Sequence, residues 1–145
     1  MMEDFTKELI GIFSSKTRCK ILEMLWEGYD HPDDLAEELG ITRQAVDKHL
    51  VELHDWGIVE RNAVFPHEGR PRIVYDMTRS GKRLMNSLDD LAEKYRENMI
   101  ERAENQIEQL DMKLAVGELS EKIYRKKVEE IKDRWNYSEL KVEDE

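Results

Sequence analysis

Residues 33–56 read DDLAEELGITRQAVDKHLVELHDW, and their spacing predicts two short helices joined by a tight turn. Leu35, Ala36 and Leu39 recur at helical spacing, and Gly40 follows where a chain leaving a helix favours a left-handed residue. Thr42 then stands as an N-cap whose hydroxyl can accept a backbone N–H. Ala45, Val46, Leu50 and Leu53 form an apolar stripe on the segment it starts. The face not used for packing carries Arg43, Gln44, Asp47, Lys48 and His49, a mixture of donors and acceptors in place of the Glu/Lys pairs of an ordinary solvated helix. Such a face, on a helix that fits a major groove, can read base edges. Amphipathic helix pairs also occur in any small helical domain, so the pair alone does not decide the matter.

The continuation does. After Trp56 and Gly57 come IVERNAVF (58–65), PHEGRP (66–71) and RIVYDM (72–77), two period-2 runs rich in Val and Ile around a Pro/Gly/Arg loop. This is a hairpin signal, with Arg70 and Arg72 at or beside its tip. A helix-turn-helix followed by a basic-tipped hairpin is a winged helix, so the expected class is mainly α, an α+β winged helix-turn-helix with a three-helix core and a two-stranded wing.

TRQAVDKHLVELHDWGIVERN (42–62), followed by GRPRIVYDMTRSGKRL (69–84), resembles the winged-helix transcription regulators of the ArsR type, with features of the PadR and MarR groups. The resemblance covers residues 14–83. It implies that helix 42–56 enters a major groove and that the wing, 58–77, lies along the backbone or the minor groove. Carried over position by position, it sets Thr42, Arg43, Gln44, Asp47, Lys48 and His49, with Arg70 and Arg72, at double-stranded DNA. Asp47 departs from the family, which usually has a small hydroxyl residue there. A carboxylate is repelled by phosphate but can accept from cytosine N4, so Asp47 either reads a base or marks a weakened DNA role. Many ArsR-type repressors sense metals through paired cysteines before the reader or through His and Asp in the last helix, and neither arrangement is present here.

Composition sets looser bounds. The chain has 145 residues, 39% of them hydrophobic and 39% charged, enough for one modest core plus an extension. No run of about 18 apolar residues and no basic-apolar leader appears, so a cytoplasmic protein is expected. The single Cys19 lies among apolar helix positions and reads as a buried thiol. The four histidines, His31, His49, His54 and His67, include no HExxH and no His-Cys spacing. With no Gly-rich phosphate loop and no nucleophilic triad order, neither an enzyme nor a metal or other cofactor is expected.

A net charge of -10 argues against a nucleic-acid partner until its distribution is read. Residues 21–41 carry seven acidic side chains and no basic one, whereas residues 42–83 hold eight basic against six acidic. Lys16, Arg18 and Lys20 add positive charge ahead of the acidic run. Affinity for DNA should be modest and strongly salt-dependent.

The flanks extend the winged helix. In segment 1–13, Phe5, Leu9 and Ile12 form a stripe on a short helix that is expected to support a dimer by packing on the partner subunit, with its own core as the alternative. Ser14 or Ser15 caps KTRCKILEMLWEG, whose Ile21, Leu22 and Leu25 face the core of a DNA-binding domain taken as 14–78. Thr78 then caps a helix running to about Val116. Along it Leu84, Leu88, Leu91, Tyr95, Met99, Ala103, Ile107, Leu110 and Leu114 recur at steps of three and four, a coiled-coil stripe. Tyr124, Val128, Ile131 and Trp135 form a second stripe after Gly117. Segment 79–137 is expected to dimerise the protein, its two helices pairing within the chain or across the dimer, and 138–145 is an acidic tail. A small-molecule effector is unknown; the apolar space around Tyr95, Met99, Tyr124 and Trp135 would suit one, although such residues are more often core. The expected function is that of a homodimeric transcription regulator, a repressor at a pseudo-palindromic promoter site. The alternative is a winged-helix protein-interaction module working through its acidic coiled coil without sequence-specific DNA binding.

Overall fold

The computed structural model describes residues 1–135. Its elements are α1 (Asp4–Phe13), α2 (Lys16–Glu27), α3 (Pro32–Leu39), α4 (Arg43–Asp55), β1 (Val59–Val64), β2 (Arg72–Met77), α5 (Arg79–Ala115) and α6 (Glu121–Trp135). The expected class stands: a mainly helical chain whose two described strands pair antiparallel as a wing. The acidic tail, 138–145, and residues 136–137 of the expected dimerisation segment lie outside the described residues.

The chain divides into two compact units, Met1–Asn86 and Ser87–Glu145. In the first, Ile21, Leu22, Leu35, Val46, Leu50 and Leu53 are all 0% exposed, and they share one core with Ile12, Ile58, Val59, Tyr75 and Met77. Burying each such side chain contributes about 1.5 to 3 kcal/mol, so the stripes of α2, α3 and α4 fix which way each helix faces. The ends follow from the sequence. Ser15 caps α2 by accepting from Arg18 N at 3.2 Å. His31 caps α3, its Nδ1 accepting from Asp33 N at 3.1 Å. Gly40 takes the left-handed conformation, φ 66°, that turns the chain from α3 into α4. Of the two partners open to α1, its own core takes Ile12, while Phe5 stays 63% exposed with its ring 5.7 Å from that of Trp56.

In the wing, Val59 pairs with Met77 and Val64 with Arg72. Its base belongs to the core through Val59, Tyr75 and Met77, and Tyr75 N donates to Asp30 O at 2.8 Å, tying β2 to the loop before α3. Thr78 joins wing to α5: its N–H donates to Ile58 O at 2.9 Å and its Oγ1 accepts from Gly81 N at 2.9 Å. Gly81 lies directly under Ile58, where a Cβ would come within 3.1 Å of Ile58 C and Cα and closer still to its carbonyl oxygen. Leu84 and Met85 also pack on this core, which is why the first unit runs past residue 78 into α5.

In the second unit α6 runs antiparallel to α5. Arg96 Nε donates to Trp135 O at 3.2 Å, the Tyr95 and Trp135 rings meet edge to face at 6.3 Å, and the Tyr124 hydroxyl donates to Asp111 Oδ1. Ala103, between these contacts, is 1% exposed. The second stripe is thus engaged within the chain. Met99, Ile107, Leu110 and Leu114 are half-buried, as is Leu88, whereas Leu91 and Tyr95 remain 66% and 59% exposed.

Candidate nucleic-acid interface

With Val46, Leu50 and Leu53 turned into the core, the helical repeat leaves Gln44 and Lys48 on the outer face of α4, and both are exposed. Thr42 caps the helix by accepting from Ala45 N at 3.1 Å, so its side chain is engaged with backbone while remaining at the exposed end. Beside α4 the wing is exposed from Glu60 to Arg72. Arg70 sits in the loop between the strands, and Arg72 is the first residue of β2. These are the side chains that the structure leaves free to meet a ligand.

Arg43 and Asp47 are not free in that sense. Arg43 Nη1 donates to Asp33 Oδ1 at 2.6 Å, and its Nε donates to Asp47 Oδ1 at 3.1 Å. The hydrogen bond from Arg43 is the largest influence holding the Asp33 carboxyl below its ordinary value, with Arg43, His31 and Arg72 adding attraction. The two carboxylates in turn raise the Arg43 guanidinium. Asp47, the departure from the family, is thus bonded to the arginine one turn before it.

His49 is half-buried, and its Nδ1 accepts from Arg18 Nε at 3.3 Å. Burial, followed by the Arg18 charge, lowers its pKa, so the ring is held neutral. Arg18 itself reaches Ile12 O at 3.1 Å and Glu52 Oε2 at 3.3 Å with its side chain only 17% exposed. It braces α1, α2 and α4 together. Its charge was counted above with the positive charge ahead of the acidic run, and this contact set shows it turned inward. Asp33 was also missed as part of this surface, because it sits in an acidic run that the helix dipole alone explains.

Other chemistry finds little material. Cys19 Sγ donates to Phe13 O at 3.2 Å, and burial followed by Glu23 raises its pKa, the opposite of an activated thiol. Among the described residues no group of three or more His, Cys, Asp or Glu is positioned to hold a metal ion. In the second unit Tyr95, Met99 and Trp135 line a cleft of about 440 Å³ together with Arg102, Glu130 and Arg134. Tyr124, expected in the same space, is bonded to Asp111 instead. No helix among the described residues is long and apolar enough to cross a membrane.

Known proteins share this domain. Residues 15–61 match the family model described as bacterial regulatory protein, arsR family. The HTH-type transcriptional regulator CmtR of Mycobacterium tuberculosis H37Rv is 39% identical over 70 residues, 48% of this chain and 56% of that protein. CmtR of Mycobacterium bovis gives the same figures. The chain therefore spans about half the length of the curated relatives it matches. Among solved structures, the reduced form of the transcriptional regulator YodB from B. subtilis aligns at a TM-score of 0.54 with 20% identity, covering 63% of this chain and 89% of that one. A MarR-family regulator from Enterococcus faecalis V583 aligns at 0.55 with 22% identity, covering 72% and 96%. At those identities the fold is what is shared. Residues 15–61 thus match the arsR-family model across the helix-turn-helix, and a two-stranded wing follows them in the chain.

Proposed function

We propose that the protein is a transcription regulator that binds double-stranded DNA as a homodimer, with α4 in the major groove and the wing on the backbone or minor groove. The observation that carries this is exposure: Thr42 at the start of α4 and Gln44 and Lys48 on its outward side, opposite the buried stripe of Val46, Leu50 and Leu53, together with a wing exposed from Glu60 to Arg72. The match of residues 15–61 to the arsR-family model and the 39% identity with the CmtR regulators over 70 residues support it. Arg43, Gln44, Asp47 and Lys48 form the reading set, with Arg70 and Arg72 on phosphates or in the minor groove. His49 contributes from the rim, through its contact with Arg18.

Dimerisation is assigned to α1 and α5. Phe5 on α1 and Leu91 and Tyr95 on α5 leave large apolar surfaces uncovered in a single chain, which a second copy would bury. Leu9, Leu84, Leu88, Met99, Ile107, Leu110 and Leu114 flank them on the same helices. Two reading helices about 34 Å apart would demand a pseudo-palindromic site and double the contacts of a weakly basic module. Occupying such a site at a promoter excludes the transcription machinery, which makes repression the simplest output.

A protein-interaction module acting through the acidic helices is the rival, and the neutralisation of Arg43 by two carboxylates favours it. Selection of bound duplexes from a random pool, followed by gel shifts at low and moderate salt, separates the two. Enrichment of a two-part motif supports the regulator. Binding that never exceeds that of random DNA removes it, and a concentration-independent monomer in light scattering at micromolar protein removes the dimer.

A further inference from the structure

Arg43 opens the reading helix, and a lone arginine there would sweep a wide arc. Two carboxylates from two different elements prevent that. Asp33, on α3, takes Nη1 at 2.6 Å, and Asp47, one turn along α4, takes Nε at 3.1 Å. A guanidinium is planar, so two bonds approaching from different directions, added to the covalent anchor at Cδ, define both its position and its plane. Nη2 has no partner among the described residues. It is the donor end left for a ligand.

The arrangement is poorly explained by stability. The three side chains are 45% to 65% exposed, and ion pairs in that environment add little to folding. General attraction to DNA does not explain it either, because two carboxylates around one guanidinium leave a local charge of about -1 where phosphates approach. The loss of general attraction and the gain of a fixed donor have opposite effects on affinity for arbitrary DNA and on discrimination between bases. Specificity is the difference between affinities for different sequences, so a charge term common to every duplex cancels in it and the fixed donor is what enlarges it.

Resting on the DNA-binding reading above, we propose that Asp33 is a specificity-determining residue although it lies outside the reading helix. With Asp47 it holds the Arg43 guanidinium so that Nη2 meets an acceptor on a base edge in the major groove. The partner chemistry is that of guanine, whose O6 and N7 are both acceptors there. Asp33 acts through Arg43 and is a positioning residue.

The test uses the full chain, a duplex selected by the wild type from a random pool, its single-base variants, and a scrambled duplex, read by fluorescence anisotropy. Arg43→Ala identifies the base pair whose preference depends on Arg43. Asp33→Asn is expected to weaken discrimination at that same base pair by about tenfold while raising affinity for the scrambled duplex by about twofold, since one negative charge is gone. Asp33→Glu restores most of the discrimination, and Asp33→Asn added to Arg43→Ala removes no more of it. A merely structural role would instead lower both affinities together with the melting temperature. A proportional rise on every duplex, or unchanged base preference in Asp33→Asn, overturns the positioning role while leaving the regulator intact. A wild type that selects no sequence overturns both.

Discussion

Of the seven glycines, Gly81 alone has backbone pressed against the place a Cβ would take, and alanine there should be costly although the position is helical. A Cβ at residue 81 would lie 3.1 Å from Ile58 C and Cα and nearer still to the Ile58 carbonyl oxygen, all of them backbone atoms that no rotamer change can move. The only relief is to lift the start of α5 off the base of the wing. That strains the Thr78 N–H to Ile58 O bond, 2.9 Å long. Overpacking of this kind costs about 1 to 3 kcal/mol, and a weakened hydrogen bond adds about 1 kcal/mol. Replacing a helical glycine by alanine returns at most about 1 kcal/mol. The balance for Gly81→Ala is a loss of about 1 to 3 kcal/mol, roughly 3 to 12 °C in melting temperature for a chain of this size. Gly11 supplies the opposite control, since it is also helical but a Cβ there meets nothing within 4 Å. Gly11→Ala should therefore gain about 0.5 kcal/mol. Thermal unfolding followed by circular dichroism reads both. If Gly81→Ala melts at or above the wild-type temperature, the close approach of α5 to Ile58 is not what seats the helix.

Three other outcomes are expected. Arg18→Met should lower stability by about 1 to 3 kcal/mol in chemical denaturation because it strands His49, Glu52 and the Ile12 carbonyl, and Arg18→Lys should not restore it; loss of DNA affinity at unchanged stability would instead make Arg18 a surface cation. His49 has a folded-state pKa below its ordinary value of 6.5, so the unfolded chain takes up the proton first. Stability is therefore complete above about pH 6.5 and falls as the pH drops through that value, a loss that His49→Gln, which keeps an acceptor for Arg18, should abolish when the two melting curves are compared from pH 7.5 to 5.5. On DNA, Arg70→Ala should weaken every duplex alike and flatten the salt slope by about 2 for two copies, whereas Gln44→Ala should relax preference at one base pair by about 1 to 3 kcal/mol; equal losses on all duplexes for both variants would end that division of labour.

The parts of this molecule legible in the sequence are those fixed by near neighbours. Val46, Leu50 and Leu53 declare the inner face of α4 at spacings of four and three, and Thr42 and Gly40 mark its start and the end of α3. The hairpin was equally plain, because alternation and the Pro/Gly loop are local properties. What stayed hidden depends on pairs distant along the chain. Arg18 meets a ring 31 residues away and Asp33 meets an arginine 10 residues away, and nothing in the periodicity of either segment announces a partner. Gly81 is one glycine near the start of a helix as far as the sequence goes, since its reason is the backbone of Ile58. The pairing of α6 with α5 was open for the same cause: two apolar stripes can close on each other or on copies, and the contacts of Arg96 and Tyr95 with Trp135 and of Tyr124 with Asp111 select the first.

These hidden contacts change how the charge of the chain is to be counted. Formal counting credits the stretch 42–83 with a basic excess, but Arg43 is outnumbered by its carboxylates, and Arg18, ahead of that stretch, is spent inside the fold. On α4 and the wing, the exposed cations left to neutralise phosphates are Lys48, Arg61, Arg70 and Arg72; Arg79, Lys82 and Arg83, also exposed, lie on α5. Four contacts per copy correspond to a salt slope of about -3.5 for one subunit and about -7 for two. A single copy would thus hold arbitrary DNA weakly at physiological salt, while a pair engaged on both half-sites would add both sets of phosphate contacts and both sets of base contacts in one event. Binding by such a protein should appear only where two correctly spaced half-sites occur, which is how a chain of net charge -10 can occupy a DNA site without coating the rest of the duplex.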